Sequence, residues 1–121
     1  FRSVEHAYQY MKLLHHNHVE AESILEAKDG FSAMKITRKL LPIHLILSTW
    51  TDNYKIALMH SLLKVKFQQC EAYRFAIHTG SDFVEDTNNL FWGKGNKNQQ
   101  GENNLGKLHN YIKYVNRYHS Q

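Results

Sequence analysis

Glu5, Gln9 and Lys12 stand at i, i+4 and i+7 in the run SVEHAYQYMK, a spacing that puts all three on one stripe of a helix. A carboxylate, a carboxamide and an ammonium in line can move protons or attack an electrophile, and Tyr8 and Tyr10 flank them. The same spacing also describes a solvent-facing surface with opposite charges, and on an arbitrary helix that plainer reading prevails. What accompanies the stripe decides between them.

A second concentration of chemistry is FWGKGNKNQQGENNLG, residues 91–106, which holds four of the six glycines. Glycine weakens a helix or strand by roughly 0.5–1 kcal/mol relative to alanine, so a cluster of them has a reason. It marks either a mobile surface loop or a backbone that a ligand approaches closely. In the second case Trp92 is a stacking platform for a base, and the N–H groups opening the helix behind Asn103 can meet a phosphate. The loop has neither a Walker pattern nor G-x-G-x-x-G, so this signal is weak alone. Glu85 and Asp86, closing the run DFVED, add a pair of carboxylates.

Other polar groups read as structural. His15, His16 and His18 cannot converge three rings on one metal at that spacing, and no Cys or H-E-x-x-H completes a shell. They read instead as a solvated helix end, where imidazolium interacts favourably with the dipole. Cys70, the lone cysteine, reads as a buried structural thiol that makes no internal disulfide. Trp50, taken alone, reads as a core aromatic.

Helices must carry these groups. Ser3 caps one running to about His15, with Val4, Ala7, Tyr8, Met11 and Leu14 as its apolar face. A second covers Val19 to Ala27, and a third starts at a Ser32 cap and runs toward Pro42. The longest spans about Thr51 to Phe67, with Tyr54, Leu58, Leu62 and Val65 inward. Glu71 to His78 is the next. The last runs from about Asn103 to Arg117 with Leu105, Leu108, Ile112 and Val115 inward, and Asp82 to Asp86 alternates like a short strand.

The 121 residues suit one domain, with no repeat or linker to divide it. No apolar run approaches the ~20 residues that span a bilayer, which predicts a soluble chain. One cysteine and no signal peptide point to a reducing cytoplasmic setting. The net charge of +4 comes from 15 basic residues spread among 11 acidic ones, which favours an anionic small molecule over a dedicated nucleic-acid binder.

In order, SVEHAYQYMK, AKDGFSAMKITR, WTDNYKIALMHSLLKVKF, TGSDFVED, FWGKG and GENNLGKL resemble the NADAR, or YbiA-like, family of N-glycoside hydrolases, over nearly the whole chain. The resemblance implies a predominantly helical α+β fold, a compact single domain over 1–121. It would have about five to six helices and a small short-stranded sheet, with N-terminal strands lying upstream of Phe1. It implies hydrolysis of the bond between a ribose phosphate or ADP-ribose and a nitrogenous base or amine. The substrate would be a riboflavin-pathway intermediate or ADP-ribosylated guanine, the latter carried on nucleic acid. No metal, organic cofactor or membrane is implied.

Carried onto this sequence, the resemblance makes Glu5, Lys12 and Glu85 catalytic, and His6, Gln9, Trp50, Lys66, Asp86, Trp92, Gly93, Gly95 and Asn103 substrate contacts. Glu5 would hold or activate water at the sugar. Lys12 would either donate a proton to the leaving base or attack an opened sugar to form a Schiff base. The family pattern often has Asp three residues before the Trp-Gly pair; here that position is Asn89, which cannot act as a base. A non-catalytic ADP-ribose or ribosyl-phosphate binder is the alternative, since likeness of fold does not settle activity.

Overall fold

A computed structural model describes residues 1–80, 85 and 89–119. The described chain is predominantly helical: α1 (Val4–His15), α2 (Gly30–Leu40), α3 (Asp52–Gln69), α4 (Glu71–Thr79) and α5 (Asn104–His119), with short 3₁₀ helices at Ala21–Glu26 and Ile43–Leu45. Among the described residues the only β pairing is an isolated antiparallel bridge between Gly95 and Gln100. The expected strand at Asp82 to Asp86 lies, except for Glu85, outside the described residues. None of the described helices is long and apolar enough to cross a membrane. The chain divides into two compact units, Phe1–Leu62 and Leu63–Gln121.

In the first unit, Ser3 caps α1 as expected, its Oγ accepting from the His6 N–H at 3.1 Å. At the other end Asn17 takes the left-handed conformation, φ 53°. Its N–H then bonds Leu14 O at 2.9 Å while the His18 N–H bonds Leu13 O at 2.9 Å, the paired closure that asparagine permits at modest cost. The expected second helix is instead the shorter 3₁₀ turn, which buries only Ala21 and Ile24. The cap of α2 is Asp29, not Ser32: Asp29 Oδ1 accepts from the Ser32 N–H at 2.7 Å, which makes Gly30 the first helical residue.

α1 packs on α2 and on the 3₁₀ turn around Leu13, Ala21, Ile24, Ala27, Ala33 and Leu41. The buried side of α1 departs from the expected apolar face. Leu13 is fully buried and Leu14 is 43% exposed, while two polar residues, His6 and Gln9, are enclosed. Burial of those two is possible because both are paired. His6 Nε2 lies 2.9 Å from Ala27 O and its Nδ1 2.6 Å from Ser3 Oγ. Carbonyls only accept, so Nε2 carries a proton, while Nδ1 is paired with a hydroxyl that can donate or accept.

α3 begins within the first unit and continues into the second. Its enclosed residues are Met59 and Leu63, whereas Tyr54 and Val65 of the expected inner face are 41% and 46% exposed. Apolar residues occur all around this helix, so periodicity alone selects no side. In the second unit α4 packs on α5 through Tyr73, Ile77 and Ile112. Arg74 closes the end of α3 by donating to Phe67 O and Gln68 O at 2.9 and 2.8 Å. Cys70, at the α4 cap position, is a half-buried free thiol and not the fully enclosed one expected.

Candidate active site

The first unit gathers Glu5, Gln9, Lys12 and Trp50. Gln9 Nε2 donates to Glu5 Oε1 at 2.7 Å, which fixes the carboxylate to its own helix. The stem of Glu5 lies against the start of α2, where a side-chain carbon on Gly30 would come within 2.8 Å of its Cβ and 3.2 Å of its Cγ. Glycine is therefore what lets the start of α2 pack against the stem of this side chain.

Lys12, two turns along, is half-buried and has its Nζ 5.9 Å from the centre of the Trp50 ring. Burial holds its ammonium below the usual lysine range, and the cations of Lys55 and Arg38 push it further in the same direction; Glu5 opposes them. An amine so placed loses its proton more readily than a surface lysine, which suits both a nucleophile and a proton donor. Trp50 is 8% exposed, enclosed by Tyr8, His15, His16 and Tyr54 at centroid distances of 5.3–5.8 Å. It is thus both core aromatic and wall of the lysine's surroundings.

Arg38 and Lys55 escaped the sequence reading as site residues. Arg38 stood in the sequence inside a matched motif, but only the packing of α2 on α1 puts its charge near Lys12. Lys55 is also ion-paired to Asp52 at 3.1 Å. The histidines at the end of α1 stay partly exposed, and two of them also make contacts that their spacing did not suggest. His15 Nε2 is 2.8 Å from Thr49 Oγ1, and both His15 and His16 lean on Trp50.

The second unit holds the remaining candidates. Asn89 Oδ1 accepts from the N–H groups of Phe91 and Trp92 at 2.9 and 2.8 Å. An aspartate would accept the same two bonds, so this position acts as a turn cap with either residue. Trp92 is half-buried, edge-on to Phe91 at 4.7 Å. Gly93 is buried, and its carbonyl accepts from the Asn103 N–H at 2.8 Å.

The helix start behind the loop is not open, contrary to expectation. The N–H groups of Asn103, Asn104 and Leu105 donate to Gly93 O, Phe91 O and Trp92 O at 2.8, 3.2 and 3.1 Å. The Asn103 carboxamide is engaged as well, Oδ1 accepting from the Glu85 N–H at 2.8 Å. Gly95 sits at φ +84°, and a side-chain carbon there would collide with the carbonyl of Gln99. The close approach that the glycines permit is of the chain to itself. Asp86 lies outside the described residues.

Lys66 Nζ sits 4.8 Å from the centre of the Tyr73 ring, and the Tyr73 hydroxyl is 2.7 Å from His109 Nδ1. Burial pushes the tyrosine up, so its hydroxyl stays protonated and donates. Burial, and then Lys66, push His109 down to about 4. Unfolded, the same imidazole takes up its proton near pH 6.5, so between those values the unfolded chain binds more protons. Stability therefore falls as pH drops through that window. The full shift corresponds to about 3 kcal/mol, which solvent screening at a half-buried site reduces to on the order of 1–2 kcal/mol. Urea unfolding at pH 7 and pH 4.5 should show that loss, and His109→Gln, which can still accept from Tyr73, should lack this part of it.

These observations define a class: a mainly helical protein that sets a carboxylate and a half-buried amine on one helix face, the amine beside an indole. The NADAR domain family model matches residues 1–114, and the chain belongs to this family, which is associated with N-glycosidase activity. No curated protein and no solved structure matches it.

Proposed function

We propose that the chain hydrolyses an N-glycosidic bond between a ribose phosphate or ADP-ribose and a nitrogenous base or amine. The observation that carries this reading is Lys12, an amine held below its ordinary proton affinity on the same helix face as Glu5 and beside Trp50. Cleavage breaks the C1′–N bond, builds positive charge at C1′, and leaves the base needing a proton. In this reading Glu5 stabilises that charge or activates the water whose oxygen joins C1′. Lys12 either protonates the base or, as a neutral amine, attacks C1′ of the ring-opened sugar and expels the base, which takes up the proton the amine gives up, leaving a Schiff base that water hydrolyses to free sugar and free lysine. Arg38 and Lys55 supply the positive charge that a substrate phosphate requires.

The single-domain reading over 1–121 remains part of this proposal, both units contributing to one family domain. The binder alternative drew support from the uncharged Asn89, and that support weakens because the residue's oxygen caps a turn.

The test is mass-spectrometric detection of free base and free sugar phosphate from a phosphoribosylamino-pyrimidine and from ADP-ribosylated guanosine. Release from one of them is expected and identifies the substrate branch. Tight binding of either without release would make the chain a reader of ribosyl phosphates.

A further inference from the structure

The last turn of α1 leads into a histidine with a second set of contacts. His16 Nδ1 is 2.7 Å from the backbone carbonyl of Lys12, and its Nε2 accepts from the backbone N–H of Leu47 at 3.0 Å. A carbonyl only accepts and a backbone N–H only donates, so both roles of the ring are settled: Nδ1 carries the proton and Nε2 does not. The ring is therefore neutral and in one tautomer. One of its bonds ends on the residue that bears the amine. The other ends on the segment leading to Trp50, and the His16 ring itself meets the indole edge-on at 5.8 Å.

We propose that His16 is a positioning residue whose neutral ring ties the end of α1 to residues 46–50 and so holds Trp50 beside Lys12. The consequence for catalysis rests on the reading of the Glu5–Lys12 face as the ligand site; the positional role does not. A second proton would enter at Nε2, directly opposite the Leu47 N–H, turning an acceptor into a donor and breaking the tie. Residues 46–50 bring no ionisable group to counter that charge. From α1 the neighbours are His15, with ring centroids 5.2 Å apart, and Lys12. From α3, Tyr54 touches both His15 and Trp50.

The test uses a Trp92→Phe chain, for fluorescence alone, so that Trp50 is the sole indole. Its emission maximum at pH 8 reports the indole held in place. His16→Gln offers a donor and an acceptor in one carboxamide and should keep that emission, whereas His16→Phe, which can make neither bond, should shift it to the red. With the natural Trp92, His16→Phe should raise KM several-fold, and His16→Gln should restore it.

An unshifted emission in His16→Phe, or a His16→Gln chain shifted to the same extent as His16→Phe, would overturn the proposal. The expected emission changes in a chain that cleaves neither substrate would instead preserve the positional role and defeat the N-glycosidase reading.

Discussion

Lys12→Met should abolish base release, lowering kcat by about 10²–10⁴-fold, the range general acid–base groups contribute, while the chain unfolds at essentially its original temperature. Both halves follow from the same geometry. The ammonium is half-buried, near the cations of Arg38 and Lys55, and partly offset by Glu5, so it sits where a charge is held at some expense. Methionine keeps the stem and removes that repulsion, so stability should change by less than about 1 kcal/mol or rise. Lys12→Arg should not restore turnover, because guanidinium keeps its proton and cannot serve as a neutral amine.

The two roles open to Lys12 separate in the same experiment. Borohydride added during turnover should fix a sugar adduct on the wild-type chain, read as a mass increase, if the amine attacks C1′. No adduct, with turnover intact, assigns it the role of proton donor. Turnover within tenfold of wild type in Lys12→Met would remove the lysine from the chemistry altogether.

Glu5→Gln should be nearly as damaging to kcat, by about 10²–10³-fold, with little effect on folding. A glutamine has the same shape, can still accept from Gln9 Nε2, and presents the same stem to Gly30. Only the charge is lost. Glu5 is the group that raises the proton affinity of Lys12, so its neutralisation lets burial, Lys55 and Arg38 act unopposed. The pH–rate limb governed by Lys12 should accordingly move to lower pH. A normal kcat with an unmoved limb would leave Glu5 as no more than the partner of Gln9.

The local half of this site was legible in the chain. α1 starts at Ser3 and ends at His15 as its cap and periodicity require, and the Glu5–Gln9–Lys12 stripe exists because helical spacing is geometry, independent of context. The motif order was legible too, and it led to the right family. The burial of Gln9 and His6 was not, since a polar residue is enclosed only when a partner meets it, and for His6 that partner is a carbonyl 21 residues away. The glycine loop misled in a specific way. Its composition correctly signalled a close approach, but composition is silent on what approaches, and the carbonyls of residues 91–93 take the helix-start N–H groups that a phosphate was expected to meet.

By itself the sequence determined where helices begin and end to within a few residues, which groups share a helix face, and which family they belong to, because caps, periodicity and motif order are properties of neighbours along the chain. Tertiary structure alone decided which side of each helix is enclosed and that Arg38, Lys55 and Trp50 surround one amine. It also decided that the His16 ring lies between the Lys12 carbonyl and the Leu47 N–H. Proton affinity and burial depend on distances through space, and residues 12, 38 and 55 are brought together only when α1, α2 and α3 fold.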